Sequence, residues 1–470
     1  MIRWGISAYN HDASIAVMED NDILFAGHAE RYSGIKNDPN LNQGIIEDAL
    51  QYGEPDEVHW YEKHWLKNLR RKYAGQEWKE NNFRDKLKEF GIDKKIKYHY
   101  HHKTHAAAGI FTSPFINSNV LVIDAIGEFT TTSIWSGALG KRWGQYYPKS
   151  LGLFYSAITQ RCGLKPNEDE YILMGMAAYG NPNRFYNEMK PLLEQNLHRG
   201  CRNLLPGLYD EYDLFDMAAA AQKIYEEEFE KLLVKVKEKD YTNNLVLMGG
   251  CALNCVANTK ALDYFNNVWI MPNPGDAGSS LGAILAHTQI HVDFTPYLGY
   301  NIEGPYPAQK LLDELLTNKI VGVANGRAEF GPRALGNRSL LADPRGPDIK
   351  DKVNEIKRRQ KFRPFAPVIL KEEANKYFEM PCEETPFMQY VVKCKEPDKY
   401  PAIIHKDGTS RVQTVTRKQH PGLYQLLVAW RDKTGCPMLL NTSLNIKGKP
   451  IVNTVQDGKM FTEKYGVKVY

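Results

Sequence analysis

The sequence predicts two domains, an α/β domain followed by an α+β domain, and three observations carry that expectation. At 470 residues the chain is longer than one hydrophobic core ordinarily serves. Three apolar runs, NVLVIDAIGEF, LVLMGGCALN and VWIMPNPGDAGSS, each pass straight into a Gly/Asp/Asn turn, and small-residue helices follow the last two. Beyond the stretch around 292–306, VDFTPYLGYNIEGPYP, rich in Pro, Gly and aromatics and read as a linker, the composition shifts toward arginine set among glycines and prolines. The domains are placed at 1–296 and 297–470.

Taken in order, IRWGISAY reads as a strand, NHDAS as a turn, IAVMED as a second strand and ILFAGHAE as a third after the Asn21-Asp22 turn. A meander of this kind, with polar residues at its first turn, is how actin/hexokinase-type ATPase domains begin. Residues 54–100 interleave aromatics with Lys and Arg and read as one or two charged amphipathic helices. HHKTHAAAG (101–109) opens a helix that should stop near Ser113-Pro114. NVLVID is a buried strand leading to Asp124, and a polar strand TTTSIW follows. The strand–Gly-Gly–helix unit LVLMGGCALNCVANTKAL makes Gly249, Gly250 and Asn254 candidate nucleotide contacts, because ligands of α/β folds sit at strand carboxyl ends. No GxxxxGK[ST] or GxGxxG is present, so neither a P-loop nor a dinucleotide fold is supported. No internal repeat stands out.

Composition narrows the class. Hydrophobic residues at 43% and charged residues at 25% describe an ordinary globular protein, and a net charge of +4 decides nothing about nucleic acid. Residues 60–103 carry thirteen Lys/Arg against six Asp/Glu, and interleave them with Trp60, Trp65, Tyr73 and Trp78. Such a segment meets a nucleic acid backbone or forms a solvated helix face. Seven cysteines form no CxxC pair, and the amino terminus lacks the basic-then-apolar pattern of a secretion signal, so a reducing, cytoplasmic setting is expected. No apolar run approaches eighteen residues, so no membrane span is expected.

Two groups of residues carry chemistry. His101 and His105, four apart on a helix, face the same side and suit one metal ion. Asp124 and Asp276 each sit where a strand gives way to a turn. Singly, Asp124 reads as a turn residue and Asp276 as a helix cap. Together with the histidines they form a mixed N/O set compatible with Fe(II), Zn or Mn. In the second half, Arg333, Arg338, Arg345, Lys357, Arg358, Arg359, Lys361 and Arg363 lie among GPRALG and FRPFAPV. Guanidinium groups fixed by such loops suit a small polyanion such as ATP with an acyl phosphate.

These segments together resemble the O-carbamoyltransferases of antibiotic and nodulation-factor biosynthesis. The resemblance shows at SAYNHDASIAV, ERYSGIK, HHKTHAAAG, VIDAIGE, EDEYILMGMAAYG, MGGCALN and GDAGSSLGA. It continues through GRAEFGPRALGNRSLLADPR, KFRPFAPV, SRVQTVTR and LLNTSLNIKGKPIV. It implies an actin-like (ASKHA) amino-terminal domain with an HxxxH metal motif and a YrdC-like carboxyl-terminal domain. It further implies that the YrdC-like domain joins carbamoyl phosphate and ATP, with Mg2+, into carbamoyl-adenylate with release of pyrophosphate. The carbamoyl group then passes to a substrate hydroxyl in the metal-bearing domain. On this resemblance His101, His105, Asp124 and Asp276 match iron ligands, and His11 and Lys36 fall on catalytic positions of the actin-type domain. Arg333, Lys357, Arg359, Arg363, Arg411, Ser443 and Asn445 fall in motifs that hold carbamoyl phosphate and ATP. His11, near the first turn, is expected to titrate near working pH and to accept the hydroxyl proton.

The chain departs from the family pattern in three places. Ala125 follows Asp124 where glycine is usual, Ile172 replaces a lysine, and Gln360 replaces the glutamate common ahead of FRPF. The acceptor is open. The short first domain and its basic segment 60–100 point to a hydroxymethylated nucleotide or base, with a secondary metabolite otherwise. Two other readings stand beside this one: a threonylcarbamoyl-type tRNA modification enzyme, and a non-catalytic nucleic-acid-binding protein on the same fold.

Overall fold

The computed structural model describes residues 1–239 and 242–470. Contacts divide the chain into two compact units: Met1–Ala29 with Pro39–Phe294, and Glu30–Asp38 with Thr295–Tyr470.

The first unit contains two five-stranded sheets of one topology. In the first, strands β1 (Ile2–Ser7), β2 (Ser14–Glu19) and β3 (Asp22–His28) form an antiparallel meander. Strand β4 (Glu57–Trp60) pairs parallel to the other edge of β1, and β5 (Ile96–Tyr98) pairs parallel to β4, giving the order β3-β2-β1-β4-β5. In the second sheet β6 (Asn119–Gly127), β7 (Thr130–Ser136) and β8 (Lys141–Tyr146) repeat the meander. Strands β9 (Asn244–Met248) and β10 (Asn267–Trp269) repeat the parallel pair, giving β8-β7-β6-β9-β10. This is the duplicated architecture of the actin/hexokinase class, as expected. The central strand β6 is buried from Asn119 to Asp124, which explains its near-continuous apolar run NVLVI.

Segment 54–100, read as helical, also supplies two strands. β4 and β5 flank the helices His64–Tyr73 and Phe83–Glu89. Both strands are short, four and three residues, and the Lys/Arg-rich sequence around them masked them. The helix His101–Thr112 ends at Ser113, as expected. It packs against the helix Ser279–Thr288 so closely that a Cβ on Gly282 would lie 2.1 Å from the Thr104 carbonyl oxygen.

The second unit is built on a mixed sheet. Strands β11 (Tyr297–Ile302), β12 (Ile320–Ala324), β13 (Gly326–Glu329), β14 (Arg338–Ala342) and β15 (Ala366–Leu370) come first in the chain. They are followed by β16 (Val392–Lys393), β17 (Thr409–Ser410), β18 (Gln413–Val415) and β19 (Met438–Ser443). The main sheet runs β12-β14-β19-β15-β18, antiparallel except for the last pair. Alternate residues feed two cores. Val321, Val323, Leu341, Val368, Leu370 and Leu439 face the helices Ala308–Asn318 and Pro421–Thr434. Leu340, Ala342, Ile369, Met438 and Leu440 face Val353 and Phe461 on the other side. The stretch 292–306, read as a linker, contains β11, which pairs with β13. Its Pro and Gly residues lie mostly outside the strand, and that concealed it.

His420 caps the helix Pro421–Thr434 as a neutral ring. Its Nδ1 accepts from the Leu423 amide at 3.0 Å, so the proton sits on Nε2, which donates to Asn337 Oδ1 at 2.9 Å. Burial lowers its pKa to about 4 against a partial counter-pull from Glu329. The unfolded chain protonates such a ring near 6.5, so its contribution to stability is complete above that pH. It is lost as pH falls toward 4. Melting temperature of the second unit should therefore drop over this window, and His420→Asn, which can still cap, should flatten the profile.

Candidate functional site

The site of the first unit lies at the carboxyl ends of the parallel strands. β1 delivers the turn bearing Asn10 and His11, and β6 delivers Asp124. β9 leads into Gly249–Gly250, and the chain after β10 reaches Asp276 in a short turn ahead of Ser279–Thr288. The β6/β7 pairing is regular to Ile123↔Thr132 and resumes at Gly127↔Thr130. The slip takes Asp124 out of the ladder, so its carboxylate is available to the site.

His101, His105, Asp124 and Asp276 converge, with one donor atom from each lying within 4.8 Å of all the others. All four are buried. The two Nε2 atoms are 3.0 Å apart, and His101 Nε2 is 3.1 Å from Asp124 Oδ2 and 3.4 Å from Asp276 Oδ1. Apart from Gly250, which was read as a nucleotide contact, the groups that hold this arrangement were not singled out in the sequence. Ser279 Oγ lies 3.2 Å from His105 Nδ1, leaving Nε2 turned toward the carboxylates. Asn10 Nδ2 donates to Asp276 Oδ2 at 3.2 Å, and the Gly250 amide donates to Asp124 Oδ1 at 3.2 Å. Glu128 accepts from the His101 and Lys63 amides at 3.0 and 2.8 Å, placing a carboxylate at the start of the histidine helix. Gly127 leaves room for the His101 ring, since a Cβ there would lie 2.2 Å from Cδ2. The only sequence signal for these groups was their presence inside the quoted motifs.

The electrostatics favour a cation. Burial and the neighbouring Asp276 both push the Asp124 pKa up, yet His101 brings it down to about 2. Burial opposes charge on His101, but Asp276 and Asp124 outweigh it and hold the ring protonated well above its ordinary range. Two buried carboxylates beside two imidazole nitrogens thus recruit a positive charge even without an ion. The donor set fits a divalent metal with mixed N/O preference.

His11 stands at the rim, its side chain 31% exposed, with Nε2 3.5 Å from Asp276 Oδ2 and Nδ1 3.1 Å from Asp12 Oδ2. Burial lowers its pKa, but Asp276, Asp12 and Asp124 prevail and raise it to about 9. This differs from the expected value near working pH, because the reading did not place three carboxylates around it. His102 is buried against Ser133 Oγ at 2.7 Å and takes no part. Asn254, read as a nucleotide contact, caps the helix Cys255–Lys260 and pairs with Gln222 at 3.0 and 3.2 Å. Gly249 takes φ +92° where a Cβ would meet the Ile123 carbonyl oxygen at 2.1 Å, a backbone requirement for glycine.

Lys36 belongs by its contacts to the second unit, within Glu30–Asp38, rather than with His11. Its charge adds to a cationic cluster there. Lys357 is buried, and its ammonium donates to Ser443 O, to Asn445 O at 2.9 Å and to Asn445 Oδ1 at 2.9 Å. Burial lowers its pKa well below the usual lysine range, and Arg359, Arg363 and Lys36 add repulsion. Arg359 is aimed by Asn354 Oδ1 at 2.7 Å and lies over the Phe365 ring. Arg411 Nε is buried with no protein partner among the described residues. Arg333 lies partly buried in the loop between β13 and β14.

Two arginines read with this group have other work. Arg338 is fully buried and donates to five backbone carbonyls, those of Asn325, Gly326, Asn337, Tyr300 and Asn453. Arg345 pairs with Asp343 at 2.8 and 3.0 Å and with Thr434 O at 3.1 Å. Both fasten loops. In the basic segment Arg70 turns inward, donating to Glu128 O at 3.2 Å, while Trp65, Tyr73 and Trp78 are exposed and Trp60 is buried.

Comparison with known proteins decides the family. The model described as Carbamoyltransferase N-terminus matches residues 58–285 and that described as Carbamoyltransferase C-terminus matches 312–470. An uncharacterised protein of Synechocystis sp. is 33% identical, over 96% of this chain and 92% of that one. The chain belongs to the carbamoyltransferase family. The nodulation protein NolNO of Sinorhizobium fredii is 30% identical over 96% of this chain and 76% of that protein. The 3'-hydroxymethylcephem-O-carbamoyltransferase of Amycolatopsis lactamdurans is 29% identical over 97% and 95%. Among solved structures, the activator of 2-hydroxyisocaproyl-CoA dehydratase from Clostridium difficile aligns over 61% of this chain and 93% of its own, with 12% identity and a TM-score of 0.36. As a member of the carbamoyltransferase family the chain is a transferase enzyme. Among the described residues no helix is long and apolar enough to cross a membrane.

Proposed function

We propose that this carbamoyltransferase is ATP-dependent and forms carbamoyl-adenylate before transferring its carbamoyl group to a hydroxyl. The observation that carries this is the cationic cluster around Lys357, where Lys36, Arg359 and Arg363 face a buried ammonium with no carboxylate among its hydrogen-bond partners. Such a cage suits several phosphates at once. Carbamoyl phosphate loses its phosphate to water, and the carbamate oxygen then displaces pyrophosphate from the α-phosphorus of ATP, supplied with Mg2+. Arg333, Arg411, Ser443 and Asn445 complete the residues we assign to this step.

Transfer belongs to the first unit. A divalent metal, iron(II) in our reading, would be held by His101, His105, Asp124 and Asp276 and would supply positive charge toward the carbamoyl and phosphate oxygens. We assign the hydroxyl proton to His11 at the rim, whose raised pKa makes it a base only once the carboxylates that face it are offset. Asn10 and Gly250 hold the two carboxylates in place. The acceptor we propose bears a hydroxymethyl group, as named for the Amycolatopsis relative, here carried on a nucleotide.

ATP–pyrophosphate exchange tests the first half without an acceptor. Exchange should require carbamoyl phosphate and disappear in Arg333→Ala. Exchange indifferent to carbamoyl phosphate would overturn the adenylation step.

A further inference from the structure

The helix His64–Tyr73 presents a face that no step above uses. Trp65, Leu69 and Tyr73 stand at i, i+4 and i+8, and Lys72 at i+7, so the four share one side. An amphipathic helix ordinarily buries such a stripe. Here Trp65, Leu69 and Tyr73 are 58, 43 and 74% exposed, and Trp78, shortly after the helix, is 57% exposed. The surface is held in place. Asn68 accepts from the Lys79 amide at 3.1 Å and donates to the Lys79 carbonyl oxygen at 2.7 Å. Arg71 Nε donates to the Glu77 carbonyl oxygen at 2.9 Å, so residues 77–79, and Trp78 with them, are pinned along the helix. The Tyr73 ring meets Tyr147 edge-on, with centroids 6.3 Å apart, which orients it.

Charge accompanies the rings. Lys72, Lys79 and Arg199 are exposed, and the Arg199 guanidinium reaches the carbonyl oxygen of Gly75, two residues past Tyr73, at 3.4 Å. With Arg71 these make four cations beside two exposed carboxylates, Glu77 and Glu80. The centre of a face for another protein is depleted of lysine. This one sets Lys72 among three aromatic rings and a single leucine. Position ties the face to transfer. The Glu128 carboxylate accepts from the Lys63 amide at 2.8 Å and from the His101 amide at 3.0 Å. The aromatic helix and the helix bearing His101 and His105 therefore start side by side on one carboxylate.

We propose that this face binds single-stranded nucleic acid, with bases stacked on Trp65, Tyr73 and Trp78 and phosphates held by Lys72 and the cations beside it. The inference rests on the nucleotide-acceptor reading above and adds that the acceptor is carried in a strand. Every base has a π-face, so exposed rings take bases of any sequence, while the cations follow the backbone. A duplex keeps those base faces stacked on each other.

The test is fluorescence anisotropy of the full chain with dye-labelled single-stranded DNA and RNA of one mixed sequence, which separates the two sources. The unlabelled duplex and inorganic polyphosphate serve as competitors and should compete poorly. Affinity for the strand should fall about tenfold in Trp65→Ala and about fivefold or more in Tyr73→Ala, the scale of one lost stack. Lys72→Gln should reduce the slope of log affinity against log salt by about 0.7. All three positions are exposed, so melting temperature should hardly move. No binding of either strand, affinity unchanged in both aromatic variants, or polyphosphate competing as well as the strand overturns the proposal. Self-association through Trp65 without strand binding overturns it too. Carbamoyl transfer is read in parallel to a hydroxymethylated nucleoside monophosphate and to a strand carrying that base. Transfer to neither overturns the nucleotide-acceptor reading. Transfer to the monophosphate, with strand affinity indifferent to Trp65 and Tyr73, keeps that reading and overturns this one.

Discussion

Asp276→Asn should empty the first unit of metal and reduce carbamoyl transfer by at least about a hundredfold. Loss of a hydrogen-bond partner behind a metal ligand typically costs 10–100-fold, and a ligand counts for more than its partner. The substitution keeps the shape of the side chain while removing a charge. Asp276 is the residue that both imidazoles share, at 3.4 Å from His101 Nε2 and 3.4 Å from His105 Nε2. Its other oxygen receives Asn10, an amide that an asparagine could still face. The fold should therefore survive, and pyrophosphate exchange, which we assign to the other unit, should continue. Metal analysis and a coupled transfer assay read the two effects separately. Retained metal with lost transfer would mean that the four residues bind the ion in some other set.

Much of this candidate site was legible because the four residues that converge in it are tied to local patterns. His101 and His105 obey helical spacing, and Asp124 and Asp276 follow apolar strands, so each could be found without knowing the fold. Lys36 could not be placed in this way. It sits in a nine-residue segment, Glu30–Asp38, that leaves the first unit and joins the second, and nothing local marks such an exchange. Arg338 and Arg345 were grouped with the phosphate cage because composition counts charges and does not see partners. The carbonyls around Arg338 come from three separate stretches of chain, Tyr300, Asn325–Asn337 and Asn453. The duplicated sheet topology was invisible for a related reason. The strand pairs β1/β4 and β6/β9 are joined across very different insertions, so the two halves share an order of strands and no sequence period.

Lys357→Met should lower carbamoyl-phosphate-dependent exchange by about a hundredfold or more, the scale of losing a charged group preorganised for a phosphoryl transition state. Lys357→Arg should not restore it. The ammonium occupies a buried position bounded by Ser443 and Asn445, where three donors on one nitrogen meet backbone and side-chain oxygens. A planar fork is wider and cannot turn the same way in that space. Stability should move little, because two effects oppose. Methionine relieves the repulsion from Arg359, Arg363 and Lys36. It also leaves carbonyl oxygens of Ser443 and Asn445 without their donor, at roughly 1–3 kcal/mol each where water does not reach them. Steady-state exchange and thermal unfolding on the same preparation separate the cases. A large loss of exchange at nearly constant melting temperature assigns Lys357 to substrate charge. A parallel collapse of both would make it a structural tether between the helix Asp348–Lys357 and the loop after β19.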